Sequence, residues 1–262
     1  MINREFKSYA KINLFLKMVG VRGNYHEIFS RFIKVKSLYD TFSFEKNIYG
    51  EKFYINSTFN FPQEKNIIFH TYRSLLSHLD IEKKVFVENF FKDFSLKVEK
   101  RVPMMAGLGG GSSNAATFLN MIDEVLNLDL SLNQKIEIVK NLGSDIIFFL
   151  HNSNSANLYG TGDIVEIFEE DELKIDIFTP KIECNTKSVY QNFRKNFFNI
   201  SNLTDLEYLK NQKSKDIFQN ISIDFANDLF KPAQNLCPKL QNIAKDGYLF
   251  SGSGSSFFKI EE

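Results

Sequence analysis

A glycine-rich segment between a predicted strand and a predicted helix is the feature that most constrains this chain. Four of the five residues 107–111 are glycine, in the run Gly107-Leu-Gly-Gly-Gly-Ser-Ser113. Glycine is unfavourable in an ordinary connection, but it lets the backbone approach a ligand closely and direct several N–H groups towards it. Residues after this run have apolar side chains at helical spacing as far as Leu126. The run therefore predicts an anion site at the start of a helix, where the N–H groups are free and the helix dipole favours negative charge.

The charges around this segment also favour an anion. Between residues 94 and 122 the charged side chains are Lys97, Glu99, Lys100 and Arg101, which give a local net charge of +2. No carboxylate lies in the first two turns of the predicted helix, where a simple cap would favour one. The motifs G-x-x-x-x-G-K-[ST], G-x-G-x-x-G and H-R-D are absent, so the common folds that carry them are excluded. A flexible turn between a strand and a helix stays open as the alternative.

Composition excludes several classes of protein. The 32 basic and 32 acidic side chains cancel, so a chain built mainly to bind nucleic acid is not expected. Hydrophobic residues make up 43%, enough for a core, and no apolar run approaches the roughly 18 residues of a membrane span. The two cysteines, Cys184 and Cys237, form neither a disulfide framework nor a zinc motif, and the N-terminal segment lacks a signal-peptide pattern. We therefore expect a cytoplasmic protein without a membrane partner.

Strand and helix patterns mix along the chain without a regular alternation, which favours an α+β fold over a doubly wound parallel sheet. The alternation at the start of the chain predicts a strand with Lys11 and Asn13 on one side. The polar stretch His151–Ser155 is the best candidate boundary. It divides the chain into predicted domains at residues 1–153 and 154–262.

Four segments, in order, resemble the GHMP kinases, the family of galactokinase, homoserine kinase, mevalonate kinase and phosphomevalonate kinase. Pro103–Ala116 is similar to the family's phosphate-binding motif, and Ala10–Leu16 is similar to its opening strand. Leu142–Leu150 is similar to its catalytic-aspartate segment, and Phe250–Gly254 to its C-terminal glycine motif. The resemblance implies a mixed-sheet N-terminal nucleotide domain and a smaller, ferredoxin-like C-terminal domain.

Within the family, the segments are most similar to members that act on a cytidine-diphosphate-linked methylerythritol. The resemblance implies transfer of the γ-phosphate of ATP, supplied with Mg²⁺, to the 2-hydroxyl of that substrate, in non-mevalonate isoprenoid precursor synthesis. It implies Asp145 as the base and Lys11 as its partner. The implied ATP and phosphate residues are Pro103, Gly107, Leu108, Gly109, Gly110, Gly111, Ser112 and Ser113, with Asn66 at adenine. The implied substrate residues are Asn13, Tyr25, His26, Thr186 and Tyr190.

Two other functions stay open at this point. A sibling kinase of the homoserine or mevalonate type would share the ATP site but would not bind CDP. A non-catalytic nucleotide-binding or RNA-binding module would show no turnover, and the zero net charge disfavours the RNA version. Neither the magnesium ligands nor the oligomeric state follows from the sequence. Asn227-Asp228 resembles a short family pattern, and the sequence assigns it no role.

Overall fold

The protein is described by a computed structural model covering residues 4–50, 52–59 and 61–261. It confirms the α+β fold. Its strands in chain order are β1 Phe6–Arg22, β2 Tyr25–Lys46, β3 Ile55–Ser57, β4 Phe94–Glu99, β5 Ser155–Tyr159, β6 Ile164–Ile167, β7 Ile175–Phe178, β8 Leu249–Phe250 and β9 Phe257–Ile260. Its α-helices are α1 Ile67–His78, α2 Ile81–Asp93, α3 Gly110–Leu126, α4 Leu132–Val139, α5 Asp145–Leu150, α6 Thr186–Asn192, α7 Tyr208–Asn211, α8 Ser214–Asn220, α9 Ile223–Ala226 and α10 Phe230–Leu236.

One compact unit comprises the described residues of 1–9, 38–102 and 110–152. In this unit the second half of β2 pairs antiparallel with β4, and β3 pairs parallel with β4. The sheet is therefore mixed, as predicted. Helix α3 packs against α1 and α5. Helix α1 begins after Asn66, whose side chain caps it by accepting a hydrogen bond from the Ile68 N–H at 2.9 Å.

Aromatic side chains fill the core of this unit. The ring of Phe53 stacks on that of Tyr72 with 4.0 Å between centroids. Phe91 and Phe118 lie edge-on to Phe53 at 4.7 and 5.8 Å. Offset-stacked and edge-to-face pairs are favourable ring arrangements, so this cluster holds α1, α2 and α3 around the segment before β3.

A second compact unit comprises the described residues of 10–37, 103–109 and 153–262. In it the first half of β2 pairs antiparallel with β5, and β5 pairs antiparallel with β6. A separate antiparallel sheet has the order β7-β9-β8. The core beside these strands consists of Leu16, Met18, Ile28, Cys184, Val189, Phe193, Leu229, Phe230, Ala233, Leu240, Phe250 and Phe257.

The two units are discontinuous in sequence, and the predicted boundary after residue 153 stays a prediction, as does the ferredoxin-like arrangement of the C-terminal domain. Within the described ranges, every helix is too short or too polar to cross a lipid bilayer.

Candidate active site

The glycine-rich segment opens onto α3 at Gly110, as the sequence predicts. No acidic residue lies in the first turn of this 17-residue helix, and the exposed Gly111 adds no side chain there. A Cβ on Gly110 would lie 3.0 Å from Val102 Cγ1 and 3.2 Å from Lys100 Nζ, so the backbone approaches the preceding segment closely. The first N–H groups of a helix have no partner within it, and the helix dipole favours an anion beside them.

Asp40 on β2 is a residue that the sequence analysis missed. Its carboxylate, which is fully buried, accepts hydrogen bonds from the N–H groups of Arg101 and Val102, both at 2.7 Å. It also accepts from Asn114 Nδ2 at 2.8 Å and pairs with Lys100 Nζ at 2.6 Å. Burial lowers the pKa of Lys100, and Asp40 opposes that change. Asp40 thereby joins the residues before the glycine segment to the first turn of α3.

The two serines at the start of α3 differ in their surroundings. Ser113 is buried, and its hydroxyl accepts a hydrogen bond from Ser8 Oγ at 2.8 Å. Ser112 is half-buried, and its Oγ lies 3.9 Å from the position that a Cβ on Gly143 would occupy. Two residues after Gly143, the half-buried Asp145 begins α5. The predicted base therefore lies in a segment that packs beside the start of α3.

Lys11 and Asn13 lie on one side of β1, as predicted. Lys11 Nζ donates to Asn13 Oδ1 at 2.5 Å, and Asn13 Nδ2 donates to Ser30 Oγ at 3.0 Å. Ser30 in turn donates to the Phe15 carbonyl at 2.5 Å. The ammonium also lies 4.1 Å from the centre of the Phe32 ring. Buried side chains therefore fix the direction of the Lys11 ammonium.

The loop before α3 has the backbone conformation that glycine favours. Gly107 and Gly109 have φ angles of +76° and +66°, in the left-handed region. A Cβ on Gly107 would lie 2.2 Å from the Ser251 carbonyl oxygen, so this close approach requires glycine. Pro103 is exposed at the start of the loop, whereas the side chain of Leu108 is buried.

Three hydrogen bonds connect this loop, β1 and the C-terminal glycine motif to one another. The Lys11 N–H donates to the Leu108 carbonyl at 2.9 Å. Ser251 Oγ donates to the Gly107 carbonyl at 3.0 Å and accepts from the Asn13 N–H at 3.3 Å. The structure thus brings together Lys11, Asn13, Gly107 and Leu108, and adds Ser251. The predicted pairing of Lys11 with Asp145 stays a prediction.

His26 follows the exposed Tyr25 in sequence and lies close to two further aromatic rings. The Tyr25 ring is 71% exposed, whereas His26 is only 7% exposed. The His26 ring lies 5.7 Å from that of Tyr190 and edge-on to Phe193 at 5.4 Å. His26 Nε2 is buried without a hydrogen-bond partner among the described residues. Burial, and then the charge of Arg194, lowers the pKa of His26, so its imidazole is neutral near pH 7.

Thr186 begins α6, the helix that also carries Tyr190. Its Oγ1 is 2.8 Å from Ser253 Oγ, within hydrogen-bond distance. This contact links the start of α6 to the C-terminal glycine motif. It places the predicted substrate residues Thr186 and Tyr190 on one helix that is anchored to that motif.

A cavity of about 290 Å³ lies beside Asn66. Its walls include Tyr54, Phe59 and Phe61, together with the polar side chains of Ser57, Gln63 and Glu64. Asn66 is buried and caps α1 at the edge of this cavity. The accessible lining of this cavity is more polar than apolar.

No group of three or more His, Cys, Asp and Glu side chains that could hold a metal ion occurs among the described residues. For that part of the chain, no resident metal centre is built from these donors.

Comparison with known proteins identifies the family. The model of the GHMP kinases N terminal domain matches residues 66–153, which include the glycine segment, α3 and Asp145. A protein of Sulfurimonas denitrificans named 4-diphosphocytidyl-2-C-methyl-D-erythritol kinase is 48% identical over 98% of this chain and 97% of its own. The chain belongs to the GHMP kinase family. It is therefore an enzyme, an ATP-binding transferase of the small-molecule kinase class.

Further relatives agree with this assignment. A Campylobacter jejuni protein of the same name is 39% identical to this GHMP kinase over 97% of the chain and 99% of the relative. The crystal structure of a 4-(cytidine 5'-diphospho)-2C-methyl-D-erythritol kinase superposes with a TM-score of 0.75 at 25% identity, covering 99% of this chain and 90% of that one. A Methanococcus jannaschii mevalonate kinase, at 13% identity and a TM-score of 0.62 over 99% and 91% of the two chains, shares the fold.

Proposed function

We propose that this GHMP kinase transfers the γ-phosphate of ATP to the 2-hydroxyl of 4-diphosphocytidyl-2-C-methyl-D-erythritol. That substrate is in the name of the relatives that match almost the whole chain. The observation that carries the proposal is the unpartnered, neutral His26 beside exposed and partly exposed aromatic rings. It supports a site for a flat heterocycle with a hydrogen-bonding edge, which homoserine and mevalonate lack.

The cytosine ring is proposed to bind between Tyr25 and Tyr190, with its polar edge at His26. An exposed tyrosine gains from covering its ring with a base, and each such stack contributes about 1–3 kcal/mol. A buried polar atom without a partner costs about 1–3 kcal/mol, so His26 Nε2 gains when the base supplies that partner. Stacking accepts any base, and the hydrogen bond to His26 would select cytosine.

The phosphates of ATP are proposed to lie along the glycine segment and the first turn of α3. Gly107, Gly109, Gly110 and Gly111 keep side chains away from that path, and no acidic residue in the first turn repels it. Ser112 is the hydroxyl that remains accessible there, since Ser113 is buried against Ser8. Backbone N–H groups and a helix N-terminus are a common phosphate site.

Adenine is proposed to occupy the cavity beside Asn66. Its volume and its aromatic and polar walls support a purine ring held by a few hydrogen bonds. Mg²⁺ is proposed to enter as part of the substrate MgATP, where it would neutralise part of the phosphate charge.

Asp145 is proposed to accept the proton of the attacking hydroxyl, and Lys11 to pair with it and stabilise the transferring phosphate. A positioned base contributes about 10²- to 10⁴-fold to the rate. Lys11 suits the stabilisation of the transferring phosphate because Asn13 fixes its ammonium, so less reorganisation is needed during transfer.

We also propose a cytoplasmic location. The two free thiols of the chain support a reducing compartment.

A coupled ADP-release assay tests this function. We expect turnover with 4-diphosphocytidyl-2-C-methyl-D-erythritol and none with homoserine or mevalonate, and calorimetry should detect binding of CDP alone. Tyr25→Ala should raise the KM for the CDP-linked substrate about 5- to 150-fold, as expected for loss of one stack, with little change in the KM for ATP. Turnover with another acceptor would identify a sibling kinase, and equal changes in both KM values would refute the stacking assignment.

A further inference from the structure

Asn227 makes an unusually complete set of hydrogen bonds for a residue that the sequence leaves without a role. Its side chain is 2% exposed. Nδ2 donates to the carbonyls of Phe250 and Gly252, at 3.0 and 2.9 Å, and Oδ1 accepts from the Leu229 N–H at 2.9 Å. Both donors of one amide are thus used to hold two carbonyls of the C-terminal glycine motif.

Asp228, the next residue, holds β1. Its N–H donates to the Leu16 carbonyl at 3.0 Å, and its Oδ2 accepts from the Met18 N–H at 2.7 Å. Its other oxygen pairs with Lys17 Nζ, which also donates to the Phe225 carbonyl at 2.9 Å. Asp228 therefore fixes the part of β1 that follows Asn13.

The two held segments are the ones that shape the site. Phe250–Gly252 contains Ser251, whose hydroxyl bonds to Gly107 and Asn13. Gly252 has a φ of +59°, and a Cβ there would lie 3.1 Å from the Gly107 carbonyl and 3.3 Å from Asn13 Oδ1. A shift of this turn would therefore move the phosphate loop and the side chain that orients Lys11.

We propose that Asn227 and Asp228 are positioning residues of the kinase site. Asn227 positions the turn at residues 250–252 against the glycine-rich loop that is proposed to bind phosphate. Asp228 fixes the position of β1, the strand that carries Lys11 and Asn13. The inference rests on the proposed function for its kinetic consequences, whereas the hydrogen bonds that it invokes do not depend on the substrate.

Asn227→Asp is the sharpest variant. It keeps the shape of the side chain and the acceptor for the Leu229 N–H. It replaces the two donated hydrogen bonds with repulsion between a carboxylate and two carbonyls. Asn192→Asp is the matched control, because Asn192 is also buried and its Nδ2 donates to the Pro232 carbonyl at 2.8 Å, away from the turn.

Steady-state kinetics separate positioning from general stability. Displacement of reacting groups by about 1 Å costs about 10²-fold in rate. We expect Asn227→Asp to lower kcat about 100-fold at saturating substrates, with the Kd for CDP measured by calorimetry unchanged. Asn192→Asp should lower the thermal unfolding midpoint and retain the wild-type kcat. Wild-type kcat in Asn227→Asp, or parallel losses of kcat and stability in both variants, would overturn the proposal.

Amide hydrogen exchange tests the same proposal without a substrate. We would measure it on the wild type and on Asn227→Ala, which serves if the aspartate variant does not fold. The N–H groups of Ser251, Gly254 and Ser256 are hydrogen-bonded in or beside the turn. We expect them to exchange faster in Asn227→Ala, with β5 unchanged, and unchanged exchange in the turn would contradict the proposal. If the wild-type enzyme does not turn over the CDP-linked substrate, the proposed function fails, and this exchange result still decides the positioning role.

Discussion

Replacing Gly107 with alanine would separate the effect of backbone strain from that of close approach in the glycine-rich loop. The added Cβ would lie 2.2 Å from the Ser251 carbonyl oxygen, and real Cβ atoms essentially never come closer than 3.0 Å to such an atom. The loop and the turn at Ser251 must therefore separate by about 0.8 Å. In addition, the φ of +76° disfavours alanine by about 1–2 kcal/mol.

The overlap with Ser251 should lower the catalytic rate, whereas the unfavourable φ angle should lower the stability of the fold. Misplacement by about 1 Å costs about 10²-fold in rate, so kcat of Gly107→Ala should fall about 10- to 100-fold. The conformational strain should lower the thermal unfolding midpoint by about 2–8 °C, at about 2–4 °C per kcal/mol for a chain of this size. The overlap with Ser251 adds to that shift.

Gly247→Ala is the control. Gly247 also has a φ of +76°, and a Cβ there would have no neighbouring atom within 4 Å. It should therefore lose stability from strain and keep the wild-type kcat in the ADP-release assay, measured at saturating ATP and acceptor. If both variants show the same kcat, the close approach of Gly107 to Ser251 does not set the activity, and the reasoning is wrong.

Three further predictions follow from the site and its surroundings. Asp145→Asn should lower kcat about 10²- to 10⁴-fold with little change in either KM, and unchanged kcat would exclude Asp145 as the base. Because the pKa of His26 is lowered in the folded chain, the unfolded chain gains this proton at a higher pH, near about 6.5, than the folded chain does. The contribution of His26 to stability is therefore lost as the pH falls below about 6.5. Urea unfolding at pH 7.5 and 5.5 should therefore show a larger acid loss for wild type than for His26→Gln, and parallel losses would contradict this. Burial, and then the neighbouring Cys237, raises the pKa of the Cys184 thiol to about 12. A disulfide reagent at pH 8 should therefore label Cys237 first, and the fast phase of labelling should vanish in Cys237→Ser.

The local features of the site could be predicted from the sequence. Alternation along the first strand places Lys11 and Asn13 on one side, and the structure joins them by a hydrogen bond. The glycine run predicts a helix start, which occurs at Gly110, and Asn66 caps the helix that follows it in sequence. Each of these features depends on residues that are close in sequence. The side-chain period of a strand, about 2 residues, and that of a helix, about 3.6 residues, reveal such features directly.

Residues that act over long distances could not be predicted in this way. The carboxylate of Asp40 binds Lys100 and Asn114, which are 60 and 74 residues away, and only the folded chain brings them together. Strand β2 carries seven charged residues, so charge alone does not distinguish Asp40 in the sequence. Asn227 is similar, because its partners follow it by 23 and 25 residues.

Two elements differ from the sequence prediction for identifiable reasons. Helix α2 was not predicted, because Ile81, Val85 and Phe86 are exposed and obscure its amphipathic pattern. Apolar spacing in the sequence predicts a helix over residues 232–246, whereas the observed α10 ends at Leu236. Pro238 lacks an N–H and disfavours helical backbone at Cys237, so the chain continues as a short 3₁₀ helix over Pro238–Asn242.

The hydrogen bond between the Asn13 N–H and Ser251 Oγ joins residues 238 positions apart. During synthesis from the N-terminus, the strand with Lys11 and Asn13 leaves the ribosome long before the serine that completes its surroundings. Contacts between such distant residues form slowly, because a long loop must close first. The surroundings of Asn13 are therefore completed only after Ser251 has been synthesised and the long loop between them has closed.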